Sequence, residues 1–191
     1  MKAFNIKFDG MLIATFLTTI FYSATYPFIH KEIMSTVSDS MVAITQIINC
    51  LSVVILGSIW NRNSDKLFKK YPTFCIVETI STILSATYVT ISSNILAYYI
   101  IDTLLFSIIT RNIVCGGIKL KVLRYSSEKE REHFDNNNNS VSAIATIIGS
   151  VIAMVLDLNF VIMLWLATFG NVVDNIFYIF IYFKTLKNKK N

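Results

Sequence analysis

The chain has 191 residues, of which 54% are hydrophobic and only 15% charged, with a formal net charge of +5 and a mean hydropathy of +0.57. An ordinary soluble domain carries about a quarter charged residues, so this balance excludes one, and the excess of cations does not call for a nucleic acid once their placement is seen. Apolar runs occupy roughly 10–30, 41–60, 73–92, 95–115, 140–158 and 160–183, each about as long as a helix needs to cross a ~30 Å hydrocarbon core.

Of the 17 Lys and Arg residues, all but Lys31 fall before the first run, in the 61–72 and 116–139 connections with their flanks, or in the C-terminal tail. Cations collect on the cytoplasmic side of membrane proteins. The expectation is therefore an all-α, polytopic protein in the cell (inner) membrane: a single domain, 1–191, of six transmembrane helices with both termini and the two basic loops cytoplasmic. Lys66, Lys69, Lys70, Lys119, Lys121, Arg124, Lys184, Lys187, Lys189 and Lys190 then face an anionic leaflet.

The first run is too long for a cleaved signal and is expected to stay as an anchor. It carries Thr15, Thr18, Tyr22 and Tyr26; the second run carries Thr45, Asn49 and Ser52; the fourth carries Tyr99, Thr103, Ser107 and Thr110. Spacing of three or four residues stacks each set on one helical face. Such stripes have two readings, hydrogen-bonding glue between helices or the wall of a shared aqueous path. In the fifth run Ala145, Gly149 and Ala153 make a small-xxx-small pattern that lets two helices approach closely. The sixth carries the most polar stripe, Asn171, Asp174, Asn175, Tyr178 and Tyr182, which is costly against lipid and is assigned to a helix contact or an oligomer seam.

Connections around Ser92, Ser93 and Asn94, and around Asp157, Leu158 and Asn159, are short enough to make helical hairpins of runs three and four and of runs five and six. The 116–139 connection reads as a charged surface helix followed by a flexible turn at the asparagine run 136–139.

No Gly-rich phosphate loop, H-E-x-x-H or G-x-S-x-G pattern is present. Cys50, Cys75 and Cys115 are isolated and read as packing residues, while His30 and His133 lie in or beside loops without a convergent acidic or Cys partner. The expectation is no enzyme, no metal and no cofactor.

The second run ends in Gly57-Ser-Ile-Trp-Asn61-Arg62-Asn-Ser-Asp65-Lys66-Leu-Phe-Lys69-Lys70, with Pro72 beyond. This resembles the loop between helices 2 and 3 of the major facilitator superfamily, G-x-x-x-D-R/K-x-G-R-R/K. Gly57, Arg62 and Lys66 fall on matching positions; Asn61 stands for the aspartate, Ser64 for the second glycine and Asp65 for an arginine. Arg111 with Gly116 and Gly117 is a looser echo of the family's helix 4. The resemblance implies one six-helix bundle, the N-terminal half of a protein that has about twelve spans in two halves with substrate between them. It therefore implies secondary transport of a small solute by a homodimer or with a partner half.

Four ionisable residues fall inside the runs: Glu78, Asp102, Arg111 and Asp174. Each needs a partner, a water-filled cavity or, for a carboxylate, protonation. In the resembled family helix 4 lines the cavity and helix 6 is peripheral, so the resemblance makes Asp102, beside Tyr99, Thr103 and Ser107 and with Tyr22 from the first run, the coupling site for a proton. Gly57, Arg62, Asp65 and Lys66 become a cytoplasmic gate loop, with Glu78 reaching toward Arg62 and Lys66. Two alternatives stay open: a substrate-binding six-span subunit of an energy-coupling-factor transporter, and a non-transporting membrane scaffold or truncated remnant in which Asp102 only packs.

Overall fold

The computed structural model describes residues 6–101, 128–156 and 159–187, and among these it is all-helical. The helices are α1 (Ile6–Thr36), α2 (Asp39–Lys69), α3 (Tyr71–Ser92), α4 (Ile95–Ile100), α5 (Glu128–Val155) and α6 (Phe160–Lys187). Among the described residues, four segments are long and apolar enough to cross a membrane: Asp9–Thr36, Tyr71–Ser92, Arg131–Val155 and Phe160–Lys184. α2 covers the second apolar run, and α4 opens the fourth, most of which lies outside the described residues.

The helices extend past the apolar runs, because a helix satisfies its own backbone wherever it goes. α1 continues to Thr36, leaving only Val37 and Ser38 before α2, whose first turn is capped by the Ser38 hydroxyl. The 61–72 connection, expected as a loop, is helical as far as Lys69, with non-helical backbone at Asn63 (φ −118°, ψ 20°) and Lys70 alone between α2 and α3. The 136–139 asparagines, expected as a flexible turn, lie within α5. Phe134, 1% exposed, pins that turn into the core, and Thr15 of α1 donates to Asn138 at 3.2 Å. The short α3–α4 connection has the expected position: Ser93 takes the left-handed conformation (φ 52°), and Asn94 caps α4.

α1 packs between α5 and α6, and α6 packs between α1 and α3. Two glycines permit the close approaches. A Cβ on Gly149 would stand 2.7 Å from the Ile20 carbonyl oxygen and from Ser23 Cβ, and one on Gly170 would stand 2.6 Å from Phe21 Cβ. Apolar clusters close the two ends of this group. One gathers Met11, Phe68, Tyr71, Cys75, Phe134, Tyr178, Ile181 and Tyr182 at the end where the basic residues lie. The other gathers Ala86, Val89, Tyr98 and Leu164 at the opposite end.

The outer surface inverts the pattern of a soluble protein. Val54 is 69%, Leu84 61% and Met154 85% exposed, while Glu78, Ser81, Ser85, Thr168, Asp174 and Asn175 are buried. An apolar exterior around an interior that shelters polar groups beside its apolar clusters suits a hydrocarbon solvent.

Candidate functional site

Between the two apolar ends, α1, α3 and α6 enclose a layer of polar side chains. α6 supplies Asn171, Asp174 and Asn175 at i, i+3 and i+4, so all three share the face that meets α1 and α3. α3 supplies Glu78, Ser81 and Ser85 at i, i+3 and i+7, and α1 supplies Thr18. Counted along the helix at about 1.5 Å per residue, Glu78 lies about 10 Å from the start of α3. That depth puts the layer inside the apolar span rather than at its rim.

The hydrogen bonds tie the helices together. Asn171 Nδ2 donates to Glu78 Oε1 at 3.4 Å, and Asn171 Oδ1 accepts from Asn175 Nδ2 at 2.9 Å. The same Asn175 amide donates to Thr79 Oγ1 at 3.1 Å. On the other side of α6, Thr18 Oγ1 lies 2.6 Å from Asp174 Oδ1 and 2.8 Å from the Ala14 carbonyl oxygen. Cys75, buried one turn before Glu78, is within electrostatic reach of both carboxylates. Ser85 Oγ is buried with no hydrogen-bond partner among the described residues.

The Thr18 geometry accepts either protonation state of Asp174. A hydroxyl has one proton and can also accept. With Asp174 ionised, Thr18 donates to the carboxylate; with Asp174 protonated, the acid donates to Thr18, which turns its proton to Ala14. A proton thus arrives or leaves without breaking the contact between α1 and α6. Asn171 offers Glu78 an amide donor that suits either state as well. Both carboxyls are residues whose charged forms are expensive at this depth.

The candidate residues read from the sequence are distributed as follows. Asp102, Thr103 and Ser107 lie outside the described residues, as do Arg111 and Cys115. Tyr99 is buried, and its hydroxyl hydrogen-bonds Thr45 Oγ1 of α2. Because Thr45 is already directed to the Met41 and Val42 carbonyls at 3.0 and 2.9 Å, Tyr99 is the donor. Tyr22 stands on the exposed face of α1 in a ladder with Tyr26, ring centroids 4.7 Å apart, and Tyr26 stacks in turn on His30 at 5.2 Å. Gly57 and Asp65 fall in α2, where nothing beyond the helical backbone is described; Arg62 and Lys66 are exposed. Gly149 is buried against α1, Ala145 is buried, and Ala153 is half-buried.

Glu78, expected to reach toward Arg62 and Lys66, takes a hydrogen bond from Asn171 of α6. α6 itself, peripheral in the resembled family, lies between α1 and α3. Thr79, Ser81, Ser85 and Thr168 were not singled out from the sequence, although Glu78, Ser81 and Ser85 have the same three- and four-residue spacing as the stripes that were.

No protein-family model matches the chain, and neither the curated proteins nor the solved structures contain a match. The class rests on the fold alone: the described residues are all-helical, and four helices among them are long and apolar enough to span a membrane.

Proposed function

We propose that this is a six-span protein of the cell (inner) membrane, with cytoplasmic termini, that carries out proton-coupled secondary transport of a small solute. In this reading the Glu78–Asp174 layer is the coupling site, and Asp102 is a second candidate on the fourth span. The observation that carries the reading is the pair of carboxyls buried between three helices and hydrogen-bonded so that Asp174 keeps its contact in both protonation states. Intramembrane carboxylates are expensive and mark ion or proton pathways, and Ser81 and Ser85 continue the polar face of α3 from Glu78 toward the opposite end. Six spans are supported by α2 lying over the second apolar run and α4 opening the fourth. The placement of all Lys and Arg but Lys31 supports the orientation.

The resemblance of 57–70 to the major facilitator loop, which the structure casts as a kinked helix end, leads to the same class. Alternating access in the resembled family rocks two six-helix bundles about a site between them, so these six spans are proposed to act in a homodimer or with a partner half.

The test is purified protein in sealed liposomes loaded with a pH-sensitive dye and challenged with panels of sugars, amino acids, organic acids and cations. Solute-dependent proton movement that disappears in Glu78→Gln or Asp174→Asn supports the proposal. Movement unchanged in both variants sinks the assignment of the site. No movement with any panel, from protein that keeps its helical content, favours a scaffold in which the polar layer only joins helices.

A further inference from the structure

We propose that the end of α2 is a binding site for the headgroup of an anionic phospholipid. The local geometry starts at Asn63, where the backbone leaves helical values and the side-chain amide donates to the Ile59 carbonyl oxygen at 3.2 Å. Beyond this kink the chain makes under two further turns, and Phe68 fixes their rotation. Its ring is buried, with its centroid 4.9 Å from that of Tyr182 and 6.3 Å from that of Tyr71, while the Tyr182 hydroxyl donates to the Lys69 carbonyl oxygen at 3.4 Å.

With Phe68 held inward, the cations are left outside. Lys66 and Lys69 are exposed at i and i+3, Lys70 is exposed in the one-residue turn that follows, and Arg62 is exposed one helical turn before Lys66. Asp65 is the one acidic residue from 62 to 70, so the stretch keeps an excess of positive charge.

The height of the patch and its surroundings select the partner. Tyr71 begins one candidate span and Lys184 ends another, so the cations stand at the boundary of the apolar zone, beside aromatic rings suited to that depth. Away from this basic end both helices carry exposed apolar groups: Ile59 of α2 is 47% exposed, and Ile76 and Val77 of α3 are 52% and 47% exposed. A free phosphate or nucleotide matches only the cations. A phospholipid matches both, with its phosphate among Arg62, Lys66, Lys69 and Lys70 and its acyl chains along Ile59, Ile76 and Val77.

Native mass spectrometry of the detergent-purified full chain, titrated with an equimolar mixture of phosphatidylglycerol and phosphatidylcholine, tests the site. Each cation near an anionic headgroup is worth about a fivefold preference, so phosphatidylglycerol adducts should dominate several-fold. That preference should fall to near one in the quadruple variant Arg62→Gln, Lys66→Gln, Lys69→Gln, Lys70→Gln. The pair Lys69→Gln, Lys70→Gln should lose part of it, which keeps the test open if the quadruple variant does not fold. Lys31→Gln, at the other end of the molecule, should leave it intact. Equal adducts of the two lipids on the unaltered protein, or full retention of the preference in both Gln variants, would overturn the proposal. So would displacement of phosphatidylglycerol by inorganic phosphate at constant ionic strength, which would point to a soluble anion.

Discussion

At the scale of single residues, glycine positions separate sharply by what faces them. At Gly149 the obstructing atoms are the Ile20 carbonyl oxygen, Ser23 Cβ and the Ala24 nitrogen, and at Gly170 they begin with Phe21 Cβ. None of these yields by changing a rotamer, so even one methyl group must push helices apart. Gly149→Ala and Gly170→Ala should each destabilise the protein by about 1–3 kcal/mol, the range for overpacked cores. Gly10→Ala meets only the Ile181 side chain at 3.5 Å, an ordinary contact, and should be near neutral. Reversible unfolding in mixed micelles, followed by circular dichroism, reads all three. The Thr18–Asp174 hydrogen bond belongs to the same scale. A double-mutant cycle with Thr18→Val and Asp174→Ala should give a coupling of about 1 kcal/mol, as interhelical hydrogen bonds in bilayers do. A coupling indistinguishable from zero would show that the 2.6 Å contact contributes nothing net.

Among the elements, α6 is the one whose rotation matters most. Its polar stripe faces α1 through Asp174 and α3 through Asn171 and Asn175, while Ile176 at 61% and Phe180 at 52% exposure face outward. One alanine inserted between Gly170 and Asn171 turns everything after it by about 100°. The insertion should take Asp174 away from Thr18 into the buried place of Asn175, turn Asn175 to the outward place of Ile176 and put the new alanine where Asn171 meets Glu78, with loss of monodisperse protein on size-exclusion chromatography. The same insertion between Ser93 and Asn94, in a connection between helices, should be tolerated. Both elements were legible as apolar runs, because a span in lipid must be hydrophobic along most of its length. Their true lengths were not. The asparagines at 136–139 have poor helix propensity, yet Phe134 and the Thr15–Asn138 contact hold them in α5. Tertiary packing overrode local preference there, and it did so again between Asn61 and Lys69, where Phe68 docks on Tyr71 and Tyr182.

For the molecule as a whole, the site was half legible. The stripe Asn171, Asp174 and Asn175 stands out from spacing alone, because so much polarity on one face of an apolar helix requires protein opposite it. What stands opposite depends on which helices are neighbours, and periodicity says nothing of that. Only the packing of α6 between α1 and α3 brings Thr18 and Glu78 to the stripe. The same packing makes a prediction about the whole layout. Contacts pair Gly10 with Ile181, Thr18 with Asp174 and Phe21 with Gly170, so α1 and α6 are antiparallel; Tyr71 with Tyr182 and Thr90 with Trp165 make α3 antiparallel to α6. Lys69 and Lys184 must then lie at one end, and Asn94 and Asn159 at the other. With Cys50, Cys75 and Cys115 replaced, single cysteines at these four positions should react with a membrane-impermeant maleimide in two groups. In intact cells Asn94→Cys and Asn159→Cys should label from outside, while Lys69→Cys and Lys184→Cys should label only after the membrane is opened. Labelling of Lys69→Cys and Asn94→Cys from the same side would mean that α3 does not cross, and the buried carboxyls would then have to be explained without a bilayer around them.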